Sequence, residues 1–319
     1  MIMKRLTGAI IGVLVTGCAC AQISTNPIPW MATVNVVDAS TQPVAGATVE
    51  VWYYVKPPPG QTEASEKIEG LTDSRGLFTA SHEDRSVDIS FRAAKAGYYP
   101  STYGHTLFLP GQFDQQTVAA NRHPQVTLLL KKVGKPIPMC AKRIRSQPPV
   151  NEKAVGYDLE SGDWVTPYGK GKNADIMFTA HHDHRATDDW DYQLIVSFPR
   201  PGDGIQPFTI SDLEKTSALR SPHEAPENGY QPQWVKSQSR RPGEPSVYGI
   251  DKNLNFFFRV RTVLDEKGNV KTANYGKIYG DFMDFQYFLN PEANSRNVEF
   301  DPAKNRCQNI HPADHVREP

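Results

Sequence analysis

The chain has little cysteine, no surplus of either charge, and no apolar run long enough to cross a bilayer. Lys+Arg and Asp+Glu both number 35. A balanced chain lacks the basic footprint that displaces counterions from a phosphate backbone, so nucleic acid is not the expected partner. The main apolar stretch, over residues 6–17, is shorter than the roughly 20 residues a membrane-spanning helix needs. A Gly-x-Ser-x-Gly nucleophile elbow occurs nowhere. His82-Glu83 and His223-Glu224 open a zinc-protease pattern, but neither is followed by the second histidine it requires. Gly169-Lys170-Gly171-Lys172 lacks the earlier glycine and the following Ser or Thr of a phosphate-binding loop. The commonest local catalytic motifs are therefore missing. What remains is 319 residues that are 39% apolar and 22% charged, a globular chain long enough for two domains. Its 23 glycines and 26 prolines favour short strands joined by turns.

The first residues read as an export signal: Lys4-Arg5, then the apolar stretch. It ends in Val15-Thr16-Gly17-Cys18, which resembles the bacterial lipoprotein box. That resemblance implies a signal peptide over 1–17, a lipid-modified Cys18 and a proline-bearing tether over 18–29. Loss of the signal removes two cations and no acid from a formally neutral precursor, leaving −2. Ala19-Cys20-Ala21 fits an ordinary small-x-small cleavage site instead, which would release a soluble periplasmic or secreted protein from Gln22. Either way the protein is expected outside the cytoplasm. Two cysteines remain in the folded part, and in an oxidising compartment Cys140 and Cys307 are expected to pair.

From residue 30 to residue 133 the pattern is strand after strand, at 33–38, 48–56, 67–73, 77–81, 86–94, 105–109 and 125–132. In the second of these Val49, Val51, Tyr53 and Val55 share one face; Glu50, Trp52, Tyr54 and Lys56 share the other. Asp73-Ser74-Arg75-Gly76 is a turn in which glycine supplies the positive φ. About seven strands at this spacing indicate a β-sandwich. Three segments then carry a resemblance: Val37-Asp38 with Pro43-Val44-Ala45-Gly46-Ala47-Thr48-Val49, Leu71-Thr72-Asp73-Ser74-Arg75-Gly76-Leu77-Phe78, and Ala96-Gly97-Tyr98. Together they resemble the carboxypeptidase regulatory-like domain, a transthyretin-like module. The resemblance implies a small prealbumin-type sandwich with no catalytic residues of its own.

Lys135-Pro136-Ile137-Pro138 marks a boundary, and residues 134–319 read as a second β-sandwich-like domain with long proline-rich loops. Strands are expected at 154–158, 163–165, 174–182, 190–198, 254–264, 270–282 and 285–289. Eight prolines fall between 199 and 249, so that stretch reads mostly as loop. Within it, Ser211-Asp212-Leu213-Glu214 reads as a capping box for a turn or two of helix. The fold class is thus all-β, two sandwiches in series.

Three groups are candidates for chemistry. The first is the hairpin tip around His181, Asp183 and Asp191. Strand parity puts these three on the solvent side and His182 inside, beneath Trp190. They could take Zn²⁺ through nitrogen or Ca²⁺ through oxygen, although the His-x-His-x-Asp-His spacing of metallo-β-lactamases is not met. A polar, solvated tip is the plainer reading. The second is Trp52 with Tyr54, side by side as aromatic platforms for sugars are, or else docked against the second domain. The third is Arg259 and Arg261, on one strand face with Phe257, able to grip a carboxylate or phosphate or merely to solvate that face.

The reading that follows is a non-catalytic envelope protein, anchored through its lipid, that binds a glycan, a peptide or a protein partner and needs no cofactor. Its rivals are a metal-dependent hydrolase with a site at the 181–191 hairpin and a structural or assembly protein.

Overall fold

The computed structural model describes residues 28–55, 64–84, 88–107, 121–145, 147–249, 251–307 and 310–319. The expected leader, Cys18 and nearly all of the tether lie outside the described residues. Among those described, no helix is long and apolar enough to cross a membrane.

The chain is all-β, as its turn density and alternation indicate. Among the described residues, seven strands make the first sandwich: β1 (Ile28–Asp38), β2 (Thr48–Val55), β3 (Ala64–Leu71), β4 (Leu77–Asp84), β5 (Asp88–Ala94), β6 (Ser101–Thr106) and β7 (Gln125–Leu130). They form a three-stranded sheet β4-β1-β7 and a four-stranded sheet β3-β2-β5-β6. Val49, Val51 and Tyr53 enter the core with Trp30, Phe91 and Leu128, as parity requires. β1 and β7 run parallel, in register from Thr33↔Gln125 to Asp38↔Leu130. At the β3–β4 turn Gly76 has φ +74°, and a Cβ there would lie 2.6 Å from the Val36 carbonyl oxygen, so only glycine fits. β6 begins four residues before the expected strand at 105.

The second sandwich takes β8 (Cys140–Ile144), β9 (Val155–Asp158), β10 (Asp163–Trp164), β11 (Ile176–Ala186), β12 (Asp189–Ser197), β13 (Gly204–Thr209), β14 (Gln233–Arg240), β15 (Leu254–Leu264), β16 (Val270–Gly280) and β17 (Phe285–Leu289). One sheet runs β10-β9-β11-β12-β14 and the other β13-β15-β16-β17-β8. Phe178, Leu194, Phe256, Phe258 and Ile278 fill the space between them. β8, β13 and β14 were not expected from the pattern, and the last two lie inside the proline-rich stretch. Both are edge strands. Pro207 sits in β13, where a missing N–H breaks no interior ladder.

The second sheet is covered on its outer face as well. Phe257 and Tyr275 pack there with Ala225 and Val298, and Phe288 and Tyr279 pack with Ile210 and Phe300. The cover is a strap, residues 210–230, together with the last segment of the chain. Ser211 and Glu214 form the expected capping box reciprocally: Glu214 N donates to Ser211 Oγ at 3.2 Å, and Ser211 N donates to Glu214 Oε2 at 3.0 Å. The helix they begin is only the 3₁₀ turn Glu214–Thr216. That turn meets the first sandwich, where the Thr216 hydroxyl accepts from Leu129 N at 3.1 Å and lies 2.9 Å from the Ser101 hydroxyl. Cys140 and Cys307 form a disulfide that ties the first strand of this sandwich to its final segment.

Candidate functional site

A cleft of about 830 Å³ opens beside the disulfide, where β8 starts and β9 ends. β9 stops at Asp158 because the carboxylate there organises two loops at once. Its Oδ1 accepts from Glu160 N at 3.0 Å and Ser161 N at 3.2 Å; its Oδ2 accepts from Lys172 N at 2.9 Å and Asn173 N at 3.1 Å. Burial pushes the Asp158 carboxyl up, but these four donors outweigh it and hold the group below the ordinary carboxylate range. Asp163 does the same for the next turn, accepting from Trp164 N and Lys170 N, each at 2.8 Å. The glycine–lysine segment at 169–172 is therefore wound around two carboxylates.

The other charges in the cleft divide into two sets. Glu160 is bonded to Arg261 at 2.6 Å, and Lys142 donates to the Gly162 carbonyl at 2.6 Å. Lys170, Lys172 and Arg306 also line the cleft and are exposed. Among the described residues, the side chains of these three have no carboxylate or hydrogen-bonding partner. Acids are spoken for and three cations are free. The chemistry this arrangement offers is capture of anionic oxygens, with no nucleophile–base pair beside it.

Arg259 and Arg261 are not on a solvated face, which corrects the expectation from strand parity. Arg259 is 9% exposed. Its Nε donates to the Gly202 carbonyl at 2.7 Å, and its guanidinium lies 4.9 Å over the Tyr230 ring. Arg261 leaves that face altogether. The β15–β16 register shifts between Val260 and Val263, and Arg261 adopts φ +57°, a left-handed conformation costing roughly 1–2 kcal/mol for a side chain with a Cβ. The bulge swings its guanidinium across to the facing sheet. There Nε and Nη2 grip both oxygens of the fully buried Asp175 side chain at 2.8 and 2.9 Å. Hydrogen bonds donated first to Asp175 and then to Glu160 hold Arg261 above the usual arginine range, against burial. Both arginines are occupied in holding the fold.

The hairpin tip does bring His181, Asp183 and Asp191 to one shallow groove of about 340 Å³. Asp183 and Asp191 are direct cross-strand partners. Their carboxylates bond side-chain cations: Arg185 bonds Asp183, Asp189 and Asp191, and Arg241 grips Asp191 at 2.8 and 3.0 Å. Bonds from Arg241 and then Arg185 lower the Asp191 pKa. His181 pairs with Glu152. Among the described residues no group of three or more His, Cys, Asp or Glu is arranged to hold a metal ion. His182 is exposed, not inside, because the tip extends beyond the facing sheet; its ring meets those of His184 and Tyr192.

Trp52 is 37% exposed on β2, as parity predicts. Its indole N–H donates to Glu50 of the same strand at 3.2 Å and the Lys67 ammonium of β3 lies 5.4 Å from the ring centre. Tyr54 lies on the same strand; its side chain is outside the described residues.

No family model matches the chain, and no curated protein matches it. Among solved structures, 3-chlorocatechol 1,2-dioxygenase from Rhodococcus opacus is 15% identical over 33% of this chain and 60% of its own, with a TM-score of 0.25. Catechol 1,2-dioxygenase from Acinetobacter radioresistens is 15% identical over 35% of this chain and 54% of its own, with a TM-score of 0.26. The C-terminal domain of the shaft pilin spaA from Lactobacillus rhamnosus GG is 12% identical over 33% of this chain and 99% of its own, with a TM-score of 0.21. The chain spans less than two thirds of these dioxygenases. Likenesses this slight have no bearing on activity.

Proposed function

We propose that this is a non-catalytic binding protein of a bacterial cell envelope, held to the membrane by lipid on Cys18, whose ligand is an anionic glycan. The observation that carries the reading is the set of unpartnered cations Lys170, Lys172 and Arg306 around a cleft whose acids are already engaged. Carboxylated or phosphorylated sugars present several oxyanions on one polymer, which suits three cations spread around an open cleft. The lipoprotein-box resemblance at Cys18 and the regulatory-like resemblance of the first sandwich support an anchored, accessory role.

Retention on polygalacturonate, with dextran as the uncharged control, tests the ligand. The wild type should be retarded by the acid polymer alone, and less so as salt rises, since surface attraction is screened beyond about 8–10 Å at physiological ionic strength. A Lys170→Ala, Lys172→Ala, Arg306→Ala variant should lose at least about tenfold in affinity, the equivalent of roughly 1.4 kcal/mol. Equal retardation by both polymers, or by wild type and variant, removes the proposal. The anchor has its own test: Cys18→Ser should move the protein from the membrane fraction to the soluble one.

A further inference from the structure

Lys277 lies in the middle of the covered face of β16 and is 0% exposed. Its cross-strand neighbours are Phe257 and Phe288, and its Nζ stands 5.0 Å from the Tyr279 ring centre and 4.8 Å from that of Phe288. The hydrogen-bonding partner it has is the Ser221 hydroxyl of the strap, at 3.1 Å.

Charges approach from each element around it, and they do not balance. Lys131, at the end of β7, lies 3.5 Å from Glu214 and donates to the carbonyls of Arg220 and Ser221 at 3.0 and 3.3 Å. Arg220 of the strap stacks over the Tyr279 ring at 4.2 Å. Glu299, from the last segment, is the acid on this side, but its oxygens are committed. One accepts from the Tyr99 hydroxyl at 2.6 Å and Gly134 N at 2.7 Å, the other from Lys135 N at 2.6 Å. A third cation in this enclosure has no anion to meet. Burial above all, then Arg220, drives Lys277 well below the ordinary lysine range; Glu299 opposes them and Lys131 adds to them. A hydroxyl beside a depressed lysine is also the composition of a nucleophile and its base. Here Ser221 and Lys277 are both completely enclosed, and Ser221 N–H is donated to the Tyr279 oxygen at 3.0 Å, so the pair faces no substrate.

We propose that the Ser221–Lys277 contact is a proton-sensitive latch, which holds the strap on the outer face of the C-terminal sheet and so joins the two sandwiches. The strap is the common element. Thr216 meets Ser101 and Leu129, Ala218 N donates to the Pro100 carbonyl at 2.9 Å, and five residues past Thr216 lies Ser221. With the strap closed the amine is neutral; with it open the amine is hydrated and takes a proton. Closure is therefore favoured as pH rises. Between the depressed closed value and the ordinary lysine range, each unit of falling pH raises the open fraction about tenfold. Below the closed value the lysine is protonated in both states and the dependence ends.

Two measurements on the full chain test this. Heteronuclear NMR of the Lys277 ε-methylene should report a neutral amine at neutral pH. Hydrogen exchange of the Ala218, Ser221 and Ala225 amides, corrected for intrinsic rates, should show protection that climbs with pH. In Lys277→Met, which keeps the length and apolar body of the side chain but has no amine to titrate, protection should no longer change with pH. The Thr179 and Ile195 amides, in the other sheet, should behave alike in both proteins. An ammonium signal at neutral pH in the closed protein overturns the proposal, as does a strap whose pH dependence is the same with methionine at 277.

Discussion

The two sandwiches treat charge differently. In the first, most ionic side chains stay at the rim, with Arg122 and Lys131 buried: Arg75 meets Asp73 at a turn, and Lys67 bridges Glu50 and Glu69 on an open strand face. In the second, one sheet is enclosed on both faces, and residues that alternation would send to water are trapped. Arg259 and Lys277 are both buried there. The difference is the strap and the last segment, which the first sandwich has no counterpart for among the described residues. Once a proline-rich crossing lies over a strand face, each charge beneath it must find a partner, lose its proton or leave through a bulge. Arg259 takes the first course, Lys277 the second and Arg261 the third.

The comparison can be broken at its apolar end first. Phe257→Ala, on the covered face, should destabilise by about 3–5 kcal/mol in urea titration, as for other buried aromatics. If it unfolds no more easily than Trp52→Ala, the strap does not truly bury that face. Arg261→Met should destabilise next most, by about 2–3 kcal/mol, because it leaves Asp175 buried without its cation. That is below the usual figure for a broken buried pair, since Arg261 keeps 21% of its side chain in water. The surface changes should matter least. Trp52→Ala should stay within about 1 kcal/mol, and Arg75→Ala should be indistinguishable from wild type by the same measurement. A large effect of Arg75→Ala would mean that the first sandwich depends on its rim charges after all.

Alternation made the cores legible. The strands at 254–264 and 285–289 have the bounds that the pattern predicts, and Val49, Val51 and Tyr53 are inside. The pairing of Cys140 with Cys307 was also readable, from compartment and count. Edge strand β13 was not, because proline is tolerated at an edge and hides the pattern, and β14, itself free of proline, lies in the same proline-rich stretch. Nor was the burial of Arg259, which depends on the strap, or the face of Arg261, since a single bulged residue resets parity and leaves no mark in composition. Lys277 looks like any solvent-facing residue of an alternating strand until the segment that covers it is known. The cleft gathers Lys170 and Lys172 from one loop and Arg306 from the far end of the disulfide. Its only local trace was the glycine–lysine doublet, which as a phosphate-loop motif is incomplete.

The parallel pairing of β1 with β7 has a mechanical consequence. Chain enters the first sandwich at the start of β1 and leaves at the end of β7, so the entry and exit points lie at opposite ends of one ladder. A pull between residue 28 and residue 132 is directed along the strands, and the rungs from Thr33↔Gln125 to Asp38↔Leu130 share the load instead of opening one at a time. Tension that reaches the second sandwich is then met by the Cys140–Cys307 bond, which shunts it past the strands between those cysteines. Under such a pull the first sandwich would be loaded in shear, and the disulfide would bypass most of the second.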